Sequence, residues 1–223
     1  SQNLHSEDSD YDYRGICFPP EKAVFGLDNF EQLESSGEDC VIYSLKKFFT
    51  LALQNNPNIL ELLYVPQDKV LHRSAAFINI LINREKLLSK RIFKSHYGYA
   101  QAQLHRLDKC HPDQMTSKRK ENVEKFGYDT KAASHVLRVI AQCRELAKER
   151  RIVFPLENCE FFREVRAGCY TLEEVKEFAQ VQFKFLKQVE SMSTLPDHPD
   201  HEFWNKLCVR LYREHFSKSK ERE

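Results

Sequence analysis

Asp10 and Asp12 stand two residues apart in Ser9-Asp10-Tyr11-Asp12, and Asp39 heads the apolar run Cys40-Val41-Ile42-Tyr43. In an extended segment side chains at i and i+2 point to one face, so Asp10 and Asp12 can aim together. Two carboxylates on one strand and a third from a neighbouring strand make an oxygen-rich cage suited to Mg²⁺. Such a cage can hold two ions about 3.5–4 Å apart, the arrangement for in-line phosphoryl or nucleotidyl displacement. The spacing of Asp10 and Asp12 alone is equally that of a solvated acidic turn. Arg14 shares their face if the strand is regular, placed either to meet phosphate or to neutralise the local acidic charge.

A second constellation lies far along the chain. Lys131, His135 and Arg138 recur at i, i+4 and i+7 and form a polar, basic row beside an apolar stripe, with Tyr128 placed to extend it. Such a row suits a triphosphate or a nucleic-acid backbone, because Lys and Arg donate to phosphate oxygens; an ordinary solvated face reads the same way. Lys90, Arg91, Lys94, His96, Tyr97 and Tyr99 interleave base and aromatic, as a surface for single-stranded nucleic acid or as a helix with buried rings. His96, His105, Cys110 and His111 match no zinc-ligand spacing, and no cysteine carries a nucleophile signature.

The elements that must position these residues divide in two. Before about residue 65 the chain reads as strands and loops with one amphipathic helix and a second short apolar element. Tyr13 to Phe18 is a predicted strand stopped by Pro19-Pro20, residues 21–38 a connection, and Val41 to Tyr43 the next strand. Ser44 is the expected N-cap of a helix whose apolar residues are Leu45, Phe48, Phe49, Ala52 and Leu53. Asn55-Asn56-Pro57 ends it, and Ile59 to Tyr64 is a second short apolar element.

Beyond that point only helices are predicted, over 74–83, 91–107, 130–150, a segment starting after Thr171, and 203–216. Gly98 weakens the second, and 109–125 reads as a loop. The 130–150 helix carries the stripe Ala132, Val136, Val139, Ile140 and Cys143. Thr171 and Glu174 have capping-box spacing, ahead of a stripe expected to be Val175, Phe178, Ala179, Phe185, Leu186 and Val189.

Composition sets the context. The 223 residues suffice for one substantial core or two smaller domains. No run is long and apolar enough to span a bilayer, so no membrane association is expected. Seven cysteines without C-x-x-C pairs point to reduced thiols and a reducing, cytoplasmic compartment. Net charge is only +1, yet residues 1–40 hold ten acidic side chains against Arg14 and Lys22. Residues 69–120 hold twelve Lys or Arg against Glu85, Asp108 and Asp113. An acidic pocket beside a basic surface suits a protein that holds cations and receives a polyanion.

Taken in order, these residues resemble a family. Ser9-Asp10-Tyr11-Asp12-Tyr13-Arg14-Gly15-Ile16 resembles the S-D-x-D-x-[RK]-[GA]-I signature of nucleotidyltransferases in the DNA polymerase β superfamily, in the bacterial and phage branch associated with RNA ligases and RNA repair. The resemblance continues through Lys47-Phe48, through Asn56-Pro57-Asn58-Ile59-Leu60-Glu61-Leu62-Leu63, through Gly98-Tyr99-Ala100 and through Tyr128-Asp129-Thr130-Lys131-Ala132 with His135 and Arg138, and closes at Leu195-Pro196-Asp197.

It implies an α+β fold, with a small nucleotidyltransferase sheet over residues 1–66 and a mostly helical domain over 67–223 completing the cleft. Asp10, Asp12 and Asp39 would be the catalytic carboxylates that hold Mg²⁺, expected as two ions. An NTP is the implied substrate, and the acceptor hydroxyl is implied to lie on RNA or another nucleic acid. Lys131, His135 and Arg138 would line the cleft from the helical side. Ser1-Gln2-Asn3 resembles the tail of the Gly-Ser turn that opens the family, making Ser1 a candidate triphosphate contact, but the glycine and the strand before it are not in the sequence. A non-catalytic nucleotide- or nucleic-acid-binding module, acting as sensor, adaptor or antitoxin-like partner, is the alternative that this incomplete sheet leaves open.

Overall fold

The computed structural model describes residues 12–35, 39–109 and 117–220. Ser1 and Asp10, and the roles expected of them, lie outside the described residues, as do Cys110 and His111. Strands β1 (Asp12–Cys17), β2 (Gln32–Ser35) and β3 (Asp39–Ser44) form one mixed sheet in the order β1-β3-β2. β1 and β3 run parallel, with Asp12 opposite Asp39, Arg14 opposite Val41 and Ile16 opposite Tyr43. β2 runs antiparallel along the other side of β3, with Glu34 opposite Val41.

Residues 21–38 are therefore more than the connection that the sequence suggests. They hold a short helix, α1 (Glu21–Phe25), and the strand β2. All four residues of β2 are exposed, so no alternation of apolar and polar residues marks it. Its pairing with β3 makes it a strand, as tertiary context does for many edge segments.

Helix α2 (Leu45–Leu53) follows β3 without a loop. Ser44 ends the strand and caps the helix, its hydroxyl accepting the Lys47 N–H at 3.1 Å. Leu45, Phe48, Phe49 and Ala52 form the buried stripe of α2. Asn55 then turns the chain at φ 55°, and Asn56 caps α3 (Pro57–Leu62), where Pro57 takes the first-turn position that tolerates it.

Asn55 also pins this region to the segment 87–95. Its buried amide donates to the carbonyls of Ala52 at 3.0 Å and Leu87 at 2.7 Å, and its side-chain oxygen accepts from Ser89 Oγ at 2.9 Å. Its own carbonyl accepts from Ser95 Oγ at 2.7 Å.

The remaining long elements are helices, α4 (Ala75–Ile82), α5 (Arg91–Asp108), α6 (Ser117–Phe126), α7 (Thr130–Glu149), α8 (Cys159–Arg166), α9 (Leu172–Ser191) and α10 (His201–Lys220). Gly98 sits on an open face of α5 and does not interrupt it. The segment 109–125, read from sequence as a loop, contains most of α6. Its surface is too polar to announce a helix, and it is held from outside. Arg119 bonds the buried Asp129 carboxylate at 2.7 Å, and Asn122 donates to Thr130 Oγ1 at 2.9 Å.

α7 is the central helix and packs against α5, α8 and α9. The Thr171–Glu174 capping box is present at the start of α9. Its buried stripe differs from the expected one: Phe183 is buried with Val175, Ala179, Leu186 and Val189, whereas Phe178 and Phe185 are each 37% exposed. One hydrophobic core runs from Tyr43 and α2 through α5, α7 and α9 to Trp204 and Leu211 of α10. The architecture is α+β. Among the described residues no helix is long and apolar enough to cross a membrane.

Candidate functional site

The parallel register of β1 and β3 is what builds the site. Side chains of paired residues on adjacent strands share a face, and every second residue returns to it. Asp12 and Arg14 of β1, Asp39 and Val41 of β3 and Glu34 of β2 therefore face the same way. Where β1 and β3 begin and β2 finishes, these residues line an open hollow of about 310 Å³.

Arg14 donates from Nη2 to Asp12 Oδ2 at 3.0 Å. Burial alone would weaken the hold of its guanidinium on its proton. The Asp12 hydrogen bond and charge, with Tyr43 and Glu61 behind them, outweigh that and raise its pKa above the usual value. The neutralising role that the sequence allows for Arg14 is thus present, and it leaves the guanidinium in the hollow.

Two carboxylates at the mouth of one face are an all-oxygen donor set, and a hard, small cation such as Mg²⁺ suits it. Asp12 and Asp39 fit such an ion by type and by register. Glu34 shares the face, but it accepts from Gln32 Nε2, and among the described residues no three His, Cys, Asp or Glu side chains converge as a ligand set. Asp10, the other expected carboxylate, lies outside the described residues.

The basic row on α7 is not a solvated face. Lys131 is exposed, but His135 and Arg138 turn inward. Arg138 Nη2 lies 3.0 Å from His135 Nδ1, and Tyr99 Oη of α5 lies 2.9 Å from His135 Nε2. A guanidinium has donors only, so Nδ1 must be the bare nitrogen and Nε2 carries the hydrogen, donating it to Tyr99. The His135 pKa falls to about 4, first through burial and then through the charges of Arg138, Arg14 and Lys131, so the ring is neutral at pH 7.

Arg14 among those charges lies within electrostatic range of His135 on α7. Glu61 of α3 acts on both Arg14 and Arg138 and ties the two halves together. Burial lowers the Arg138 pKa, with Glu61 opposing and Arg166 adding to the fall.

Several expectations are corrected by this geometry. Tyr128 does not extend the row: it is buried, and its hydroxyl donates to the Tyr170 carbonyl at 2.7 Å. His96 is buried within α5, with Nδ1 2.8 Å from the Ile92 carbonyl, so it takes no part in the exposed Lys94–Tyr97 surface.

Sequence reasoning gives Tyr99, Glu34 and Glu61 no place at the site. Tyr99 and Glu61 lie within the segments Gly98-Tyr99-Ala100 and Asn56 to Leu63 that carry the family resemblance. Glu34 has no signal, because its strand is unmarked.

The sequence pattern of the RNA repair pathway DNA polymerase β family matches residues 4–210. A curated protein of Enterobacteria phage T4, described as an uncharacterized 38.9 kDa protein in the nrdC-mobD intergenic region, is 32% identical over 94 residues. That match covers 40% of this chain and 27% of the phage protein's length. No solved structure matches the chain. With a family pattern running through the carboxylate strands, the α5 tyrosine and the α7 row, the chain belongs to the RNA repair pathway DNA polymerase β family of nucleotidyltransferases.

Proposed function

We propose that the protein transfers a nucleoside monophosphate from an NTP to an acceptor hydroxyl, with Mg²⁺ held by Asp12 and Asp39 and, with them, Asp10. The observation that carries this reading is the register that sets Asp12 directly opposite Asp39 on one sheet face. When bound, Mg²⁺ would polarise the α-phosphate and lower the pKa of the attacking hydroxyl. Arg14, beside Asp12, is placed to balance phosphate charge on the strand side, and Lys131 and Arg138 supply positive charge on the helical side. His135 is neutral with its one hydrogen already engaged, so its role here is to orient and not to exchange a proton. The family's description directs the search for the acceptor to an RNA end, and Ser1 remains a candidate triphosphate contact by resemblance.

The test is incubation of the protein with each α-labelled NTP, single-stranded RNA and Mg²⁺, with and without excess chelator. Label in the RNA that is lost on chelation and lost in Asp12→Asn, with the circular dichroism spectrum unchanged, is the expected result. Metal-independent labelling, or full turnover in Asp12→Asn, would contradict it. Saturable NTP or RNA binding without any transfer would favour the binding module, the reading from another class that the same sheet face supports.

A further inference from the structure

Tyr99, read from sequence as part of a base-and-aromatic surface, stands at the end of a chain of fixed donors. Arg138 Nη2 donates to His135 Nδ1 at 3.0 Å, and His135 Nε2–H donates to Tyr99 Oη at 2.9 Å. The ring planes of Tyr99 and His135 meet edge to face at 87°, with centroids 5.6 Å apart, so the phenol is held by packing as well as by the hydrogen bond. Because Tyr99 accepts from His135, its own O–H proton is not spent on that bond. Among the described residues no other group takes it.

The surroundings specify what would. Arg14, Lys131 and Arg138 bring three positive charges to bear on His135, and the carboxylates of Asp12, paired with Arg14, and of Glu61, acting on Arg14 and Arg138, offset only part of them. Arg138 is half-buried, and its Nε is a buried donor without a hydrogen-bond partner among the described residues. Buried donors are satisfied in nearly all folded proteins, and a donor cluster under net positive charge selects an anion. A tautomer-locked histidine cannot supply the charge, but it fixes the phenol so that the one free proton points away from the ring it accepts from.

We infer that Tyr99 is a phosphate-binding residue of the cleft, held by the Arg138–His135 pair so that its hydroxyl donates to a non-bridging oxygen of a nucleoside triphosphate. The inference rests on the nucleotidyltransferase reading for its ligand but not for its geometry. Phosphate oxygens of a nucleic-acid backbone offer the same chemistry, and the experiment separates the two sources.

Inorganic tripolyphosphate, ATP and a single-stranded RNA with a 5′-hydroxyl are titrated separately into the full chain in chelator by calorimetry, and then into Tyr99→Phe. The expected result is about tenfold weaker binding of tripolyphosphate and ATP to Tyr99→Phe, the loss of one hydrogen bond to a charged group, with RNA affinity changed less than twofold. Equal tripolyphosphate affinity in the two proteins, or a loss confined to RNA, would overturn the assignment. So would absence of tripolyphosphate binding to the unsubstituted protein.

¹⁵N–¹H correlation spectra of the histidine side chains provide a reading that a folding defect in the variant does not touch. His135 in the unsubstituted protein should be the neutral Nε2–H form at pH 7, and an Nδ1–H or charged ring would contradict the chain of donors. If no transfer is found but Tyr99→Phe loses tripolyphosphate, the transferase reading falls and this inference stands.

Discussion

His135 shows at the scale of one residue how burial and neighbouring cations decide chemistry. Its pKa and that of buried His96 both fall to about 4, while the unfolded chain protonates near 6.5. Between those values the unfolded state binds more protons than the native state, so stability falls as pH drops from 6.5 towards 4 and levels off below. At full effect each ring contributes on the order of 3 kcal/mol to that loss. Urea unfolding at pH 7.5 and at pH 4.5 should therefore give a lower midpoint at the acid value, and replacing His96 by Asn should shrink the difference. A midpoint unchanged over that range would mean that the two rings are not buried neutral.

Asp12, Asp39 and the α7 row are legible in the sequence by residue type and spacing. The inward turn of His135 and Arg138 is not, because helical periodicity gives the angle of a side chain but not what stands opposite it.

Among the elements, those with local signals are legible and those held by partners are not. Ser44 and the Thr171–Glu174 box each satisfy backbone donors within a few residues, so sequence alone announces them, whereas Asn56, read only as part of the stop to α2, proves also to cap α3. β2 depends on β3, α6 depends on Asp129 and Thr130 at the start of α7, and neither shows in the sequence. The expected α9 stripe takes Phe178 and Phe185 for core, since aromatic residues flanking a buried row look the same in periodicity.

Asn55 is the element-scale joint. Asn55→Ala would leave the Leu87 carbonyl and Ser89 hydroxyl without their partner and put alanine at φ 55°. A loss of about 3 kcal/mol is expected, measured by chemical denaturation. Ser44→Ala, which removes one helix cap, should cost only about 1 kcal/mol. Equal losses from the two substitutions would show that the Asn55 side chain does not join the sheet-bearing part to the segment 87–89.

For the whole molecule, the continuous core makes a joint prediction. Trp204 is fully buried against Phe49 of α2 and Phe203 of α10, so its fluorescence reports on contact between the first helices and the last. Fluorescence and far-ultraviolet circular dichroism should follow one coincident unfolding transition. Two separated transitions would mean that the sheet-bearing part and the helices unfold independently. The same packing holds Arg14 of the sheet within electrostatic range of His135 on α7.

If Asp39 and Asp12 hold the metal together, Asp39→Asn is the decisive substitution. It keeps size and shape, and it alters a carboxylate that only the strand register connects with Asp12. Mg²⁺-dependent transfer from an α-labelled NTP should fall by at least about a hundredfold in Asp39→Asn, the upper end of what losing a mere outer-shell partner of a metal ligand costs, with the unfolding midpoint unchanged. Transfer at the unsubstituted rate would contradict the shared metal site and leave Asp39 as an ordinary strand-end carboxylate.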